Sequence, residues 1–165
     1  MRTLLVGLDN PHSNDPKNAL APLPSEATGG RIVELIQQSL PDYTIKDYLR
    51  EFHRINLYPI KMAASGKGAT KADRMMAQWC LMYAMRAGYE NVVLFGNRVK
   101  AAFADIAPEW PNDCDYCRVG DTISFWYVPH PSGRNRFYND VRNRVKVGLL
   151  LSNLRERRGR RRHEP

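Results

Sequence analysis

A carboxylate, two amides and an imidazole stand at turns that close apolar runs of this 165-residue chain: Asp9 and Asn10 before Pro11, Asn56 before Pro59, and His130 in His130-Pro131-Ser132. A carboxylate can take a proton or orient a water, an imidazole titrates near neutrality, and an amide offers a donor and an acceptor together. Two other patterns lead elsewhere. Cys114-Asp-Tyr-Cys117 has metal-like spacing, but a structural zinc site takes four ligands and Cys80 is the only further cysteine. Ser65-Gly-Lys-Gly68 lacks the first Gly and the Lys-Ser/Thr ending of a phosphate-binding loop, and no dinucleotide fingerprint occurs. The residues therefore imply no metal and no cofactor.

Stepping outward, each candidate group follows a predicted strand. Thr3–Gly7 reads as a buried strand, and residues 9–30, with four prolines, as a long loop of the kind that carries function. Thr28 is expected to cap a helix to about Leu40. Thr44 with Asp47 opens a second helix, whose Ile45, Tyr48, Leu49 and Phe52 fall at i, i+3, i+4, i+7. Arg54–Tyr58 reads as a strand. Thr70 with Asp73 opens a helix to about Ala87, on which Met75, Met76, Trp79, Met82 and Tyr83 are expected in the core. Asn91–Phe95 and Thr122–Val128 are strands, residues 97–106 a helix, residues 107–121 a loop, and Asn135–Asn153 the last helix. Alternating short strands and helices predict an α/β fold, three layers α/β/α around a central four-stranded, mostly parallel sheet. Sites in such sheets lie at the carboxyl ends of the strands, where Asp9-Asn10-Pro11, Asn56 through Pro59, Gly96-Asn97 and His130-Pro131-Ser132 fall. Residues 1–154 form one expected domain and 155–165 a basic tail without fixed structure.

Charge adds a direction. Residues 1–133 hold 14 basic and 14 acidic side chains, so the whole net charge of +8 falls in residues 134–165, with 11 basic and 3 acidic. A neutral body with a basic end suggests a polyanionic partner, nucleic acid first. A hydrophobic fraction of 43% argues against a disordered chain. Three cysteines make no disulfide framework, no apolar run reaches a membrane span, and Leu4–Leu8 is too short for a signal peptide. The expectation is a cytoplasmic monomer with no membrane partner.

Gly7-Leu-Asp-Asn-Pro11 at the end of the first strand and His130-Pro-Ser-Gly-Arg134 at the end of the last are similar to the two motifs of the uracil-DNA glycosylase superfamily. Between them, Ile55-Asn-Leu-Tyr-Pro59 resembles that family's Asn-bearing middle strand, and Leu94-Phe-Gly96 its next strand. The order and spacing cover roughly residues 3–150. The resemblance implies an enzyme of DNA repair or modified-base processing that binds DNA, flips a base and hydrolyses its N-glycosidic bond without a metal; an inactive DNA-binding protein of the same fold is the alternative.

Such a cleavage makes the sugar oxocarbenium-like and the base an anion, so a polar group under the sugar and a donor at the base carbonyl both help. The resemblance makes Asp9 or Asn10 the water-orienting residue: aligning on Gly7 favours Asp9, aligning on Pro11 favours Asn10. It gives His130 the departing base and Asn56 the base edge. His12 could gate a C5 substituent or face solvent. Where relatives carry a stacking aromatic, this chain has Leu20-Ala-Pro-Leu23, so Pro22 or Leu23 would make a flat apolar contact. Ser132 would contact phosphate, and Arg134, Asn135, Arg136 and Phe137 occupy the place of the family's duplex wedge. Arg158, Arg160 and Arg161 in the tail would add non-specific attraction to phosphates.

Overall fold

Apolar runs too short for helices become the strands. In the computed structural model, which describes residues 2–9, 15–59, 68–106, 114, 116–119 and 122–155, all five residues of β1 (Thr3–Gly7) are buried. A 3-10 turn at Pro16–Asn18 interrupts the following loop. Then come α1 (Thr28–Gln37), α2 (Ile45–Glu51) and β2 (His53–Asn56). They are followed by α3 (Lys71–Arg86), β3 (Asn91–Phe95), α4 (Asn97–Ala102), β4 (Tyr116–Val119) and β5 (Ile123–Val128). A second 3-10 turn, Arg136–Asn139, leads into α5 (Val141–Leu154). The capping boxes read from sequence are present: Thr44 with Asp47 opens α2 and Thr70 with Asp73 opens α3.

The sheet has five strands in the order β2-β1-β3-β5-β4, parallel except for the antiparallel β4–β5 pair. The expected four strands are the parallel ones. The fifth, β4, lies in the segment read as loop, because four residues between turn-rich flanks give almost no periodic signal. Its pairing is visible in the tertiary contacts: Tyr116 stands opposite Trp126, ring centroids 4.6 Å apart. The last helix also differs. Asn135 accepts from Phe137 N–H to start the 3-10 turn, and Asp140 accepts from Arg142 N–H to start α5, so two caps split the expected single helix. Ala27, not Thr28, is the N-cap of α1, which frees the Thr28 hydroxyl from capping.

Side chains alternate across the sheet and bury two cores. Leu5, Val93, Phe95 and Val128 face α1, α2 and α5, packing on Ile32, Ile36, Tyr48 and Leu151. Leu4, Val6, Val92, Leu94 and Phe125 face α3 and α4, packing on Ala77, Cys80, Ala84 and Val99. The buried stripe of α3 is thus small, and its large side chains turn outward: Trp79 is 60% exposed, Met75 55% and Tyr83 47%. The expectation that Met75, Trp79, Met82 and Tyr83 fill the core is wrong; only Met76 packs partly against it. Small residues let α3 lie close on the sheet, and the apolar periodicity seen in sequence belongs to its other side. Among the described residues no helix is long and apolar enough to cross a membrane.

The α1–α5 crossing is tight at Gly148, where a Cβ would collide with the Leu35 carbonyl. Alanine is the better helix former by about 1 kcal/mol, yet Gly148→Ala is expected to destabilise the fold by about 1–3 kcal/mol through overpacking. A denaturant midpoint equal to or above that of the parent chain would refute the close-packed crossing.

Candidate functional site

The sheet order places β1 between β2 and β3, so the chain leaves β1 toward one neighbour and returns on its other side. Crevices at such switch points, beyond the carboxyl ends of the strands, are where open α/β sheets bind ligands. Four segments meet at that edge here: Gly7 through Asp9 after β1, Asn56 through Tyr58 at β2, Gly96 through Arg98 after β3, and Pro129-His130 after β5.

His130 is held by its backbone. Its carbonyl accepts from Ser132 N–H at 2.8 Å and from Asn135 Nδ2 at 2.9 Å, while the Tyr138 hydroxyl donates to Pro129 O. The side chain packs over Gly96, where a Cβ would lie 3.1 Å from His130 Cβ. Its Nε2 lies 3.5 Å from Thr28 Oγ1, in the first turn of α1. Burial lowers the imidazole pKa below the ordinary histidine value, and the Asp9 carboxylate pulls the other way. At neutral pH the ring is therefore neutral and keeps one N–H to donate. Asp9 and His130, from opposite ends of the sequence, lie close enough to act on each other electrostatically.

Asn56 ends β2 opposite Gly7 in the register. Its Oδ1 is buried with no hydrogen-bond partner, and it would collide with a Cβ on Gly7, so a side chain at Gly7 would have to displace the Asn56 amide. Leu20 packs on the same Gly7. Tyr48 fixes Leu20 by donating its hydroxyl to Leu20 O at 3.0 Å, and Gly29 N–H donates to Ala21 O at 3.1 Å. The apolar side chain brought to the strand ends is thus Leu20; Pro22 is buried nearby in the chain, and Leu23 points outward at 65% exposure.

Below Asp9 lies a buried charge cluster. Asp73 is wholly buried. It takes a bidentate pair from Arg98, Nε to Oδ2 at 2.8 Å and Nη2 to Oδ1 at 3.0 Å, with a further hydroxyl from Tyr58 and Thr70 N–H at 2.9 Å. Burial alone would raise the Asp73 pKa, but the Arg98, Tyr58 and Thr70 hydrogen bonds outweigh it and hold the carboxyl well below the usual range. Arg98 also feels the Asp9 charge. Tyr58 N–H donates to Leu8 O at 2.9 Å, which ties this cluster to the residue before Asp9.

The second motif continues into a shallow basic rim. Ser132 shares a pocket of about 130 Å³ with Arg31, Gln38 and Arg144 and with one carboxylate, Glu34. Arg31 Nε donates to Glu26 O and Arg144 Nη1 to Tyr138 O, at 3.1 and 2.8 Å, so both cations are pre-oriented. Arg134 and Arg136 are exposed, whereas Phe137 packs against the core and against Tyr138. Asn135 spends both ends of its amide on the local turn. Arg155 is pinned by Glu51 at 3.2 Å and lies over the Tyr43 ring. Cys114 and Cys117 pack into the cores on opposite sides of the sheet. Asn10, His12, Arg158, Arg160 and Arg161 lie outside the described residues.

The structure therefore brings Asp9, Asn56 and His130 to one edge. Sequence reasoning missed Leu20, Thr28, Arg31, Arg144 and the Asp73–Arg98 pair. For Asp73 the capping box was a signal for its position, not for its second role. No protein-family model matches the chain, and no curated protein matches it significantly.

Two measurements check this geometry. Asp73→Asn is expected to destabilise the fold by about 3–5 kcal/mol at neutral pH, because it leaves Arg98 buried against a neutral partner. The carboxylate's contribution is complete at neutral pH. It declines once the unfolded chain's carboxyls protonate, near pH ~3.9, and disappears as pH falls through the lowered folded value, so the difference between the two chains should shrink in acid. A difference independent of pH would contradict the ion pair. For His130, an NMR titration of the imidazole should give a pKa below ~6.5, and Asp9→Asn should lower it further, since the Asp9 charge favours the protonated ring. A rise would separate Asp9 from the imidazole.

Proposed function

We propose that this chain is a metal-independent DNA glycosylase of the uracil-DNA glycosylase type, which flips a base from DNA and hydrolyses its N-glycosidic bond. The observation that carries the reading is the electrostatic pairing of the Asp9 carboxylate with a half-buried His130 imidazole, whose pKa is lowered by desolvation, at the switch-point edge of a parallel sheet. Both lie in the motifs, and in the chain order, that resemble the superfamily.

In this reading water adds to the anomeric carbon as the bond to the base breaks. Asp9 orients that water, takes its proton and offsets the positive charge growing on the sugar. The bonding electron pair leaves with the base, whose carbonyl accepts a hydrogen bond from the neutral His130 ring. A protonated ring would give up its proton to the leaving base; a neutral one donates without net transfer. Asn56 presents the unpartnered Oδ1 acceptor that an N–H on the base edge would satisfy, and Leu20 lies beside it as an apolar surface. The basic rim of Arg31, Ser132, Arg134, Arg136 and Arg144 suits phosphates on either side of a flipped nucleotide, and the arginines beyond Arg155 add a sequence-independent pull. DNA is thus the proposed partner and a pyrimidine, unmodified or modified, the proposed base.

The test is base release from duplexes carrying uracil, mismatches and modified pyrimidines. His130→Ala should lower the rate on the best substrate by roughly 10²–10³-fold while DNA affinity holds. Unchanged turnover would overturn the mechanism, and binding without release from any duplex would leave an inactive DNA-binding protein of this fold. Removing residues 156–165, which spares the pinned Arg155, should weaken binding and flatten its salt dependence. An unaltered salt slope would make the tail incidental.

A further inference from the structure

α3 carries an apolar seam that the fold leaves bare. Met75, Trp79 and Met82 recur at i, i+4, i+7, with Tyr83 and Met85 beside them, and all five are exposed. The opposite stripe of the same helix, Asp73, Ala77, Cys80 and Ala84, is the one buried on the sheet. The seam opens on one side into a groove of about 270 Å³, walled by Met76, Trp79 and Tyr83 of α3, by Ile55, Asn56, Leu57 and Pro59 of the β2 edge, and by Pro16 and Ala19 of the loop after β1. A contiguous surface of this kind, rich in thioethers and rings, is what protein contacts use.

We propose that this seam is a docking surface for an acidic amphipathic helix of another protein. The charges around it select the occupant. Lys71 and Arg74 stand at one end of the helix and Arg86 at the other, all exposed, while its only carboxylate, Asp73, is buried. Arg74 has Asp105 at 3.9 Å, but that pair is open to solvent and holds it weakly. Lys71 and Arg86 are about 22 Å apart at 1.5 Å per residue. A partner helix with apolar residues every three or four positions and carboxylates at both ends matches this spacing. A second copy of the chain does not: antiparallel pairing about Trp79 sets Lys71 and Arg74 near the other copy's Arg86, cation against cation. Nucleic acid fits less well, since its phosphates recur at every nucleotide while the middle of the seam offers only apolar and ring surface. The groove beside Trp79 is shaped to receive one large apolar side chain as an anchor.

The experiment titrates the full chain into two labelled synthetic helices, each about three heptads long so that it is stable alone. Both have Leu at the a and d positions; one carries Glu and the other Lys at the flanking positions. The Glu peptide should bind and the Lys peptide should not. Trp79→Ala should weaken binding about tenfold or more, with circular dichroism confirming the fold, and the double variant Lys71→Glu, Arg86→Glu should reverse the preference. The proposal falls if neither peptide binds, if both bind equally, or if Trp79→Ala changes nothing. It also falls if a single-stranded oligonucleotide displaces the Glu peptide, or if sedimentation shows a dimer that Trp79→Ala dissolves.

Discussion

A carboxylate sealed from water must find donors on every side or lose its charge, and in this chain Asp73 meets that demand with groups from three places. Arg98 comes from the start of α4, Tyr58 from the exit of β2, and Thr70 from the cap of α3 to which Asp73 itself belongs. Each of these segments leaves the same edge of the sheet, and the Tyr58 amide extends the hold to Leu8 at the exit of β1. Loops at a strand edge are ordinarily the softest part of an α/β protein. Here three of them close on one buried charge, so the residue after Leu8 arrives at a fixed place facing Gly96 and His130.

The strands that bear the candidate chemistry were readable because each is an apolar run stopped by Pro, Gly or Asn, and the capping boxes of α2 and α3 because both halves of each box lie within four residues. What escaped was long-range. β4 exists through its pairing with β5, and its own residues barely announce it. The seam of α3 was misread because a periodicity count cannot tell which of two apolar stripes faces inward; the small stripe won, as it allows the helix nearer the sheet. Leu20 and Thr28 reach the site only through the path of the loop between β1 and α1. Leu20 is placed by a hydroxyl from Tyr48, far along the chain. Arg31 and Arg144 come to the second motif from helices on either side of it in sequence. Asp9, Asn56 and His130 could be picked out as types at strand ends, but their mutual approach depends on strand order, and order is a property of the folded sheet.

The charge asymmetry of the sequence has a structural counterpart. The basic residues after position 133 are not one feature. Arg144 and Arg155 are tied to carbonyls and to Glu51, Arg142 is engaged with Asp140, and Arg134 and Arg136 are exposed beside the second motif. A cation already committed to a protein acceptor holds its geometry at some cost in free charge, while an uncommitted one offers attraction without direction. The rim near Ser132 combines both kinds, which fits the proposed DNA partner: the free cations would attract it and the tied ones would register it.

The sheet also draws together segments far apart in the chain. β1 precedes both of its sheet neighbours in sequence, yet it lies inside the sheet, paired with both β2 and β3. Its Thr3 hydroxyl donates to the carbonyl of Leu154, the last residue of α5. In sequence, then, β1 meets its first neighbour only at His53–Asn56 and its second only at Asn91–Phe95, and its final contact closes only with α5. Parallel pairings between distant segments form slowly and leave strand edges open meanwhile. An interior strand of the sheet is thus completed by segments far from it in sequence, so its pairing depends on the whole of the fold being assembled.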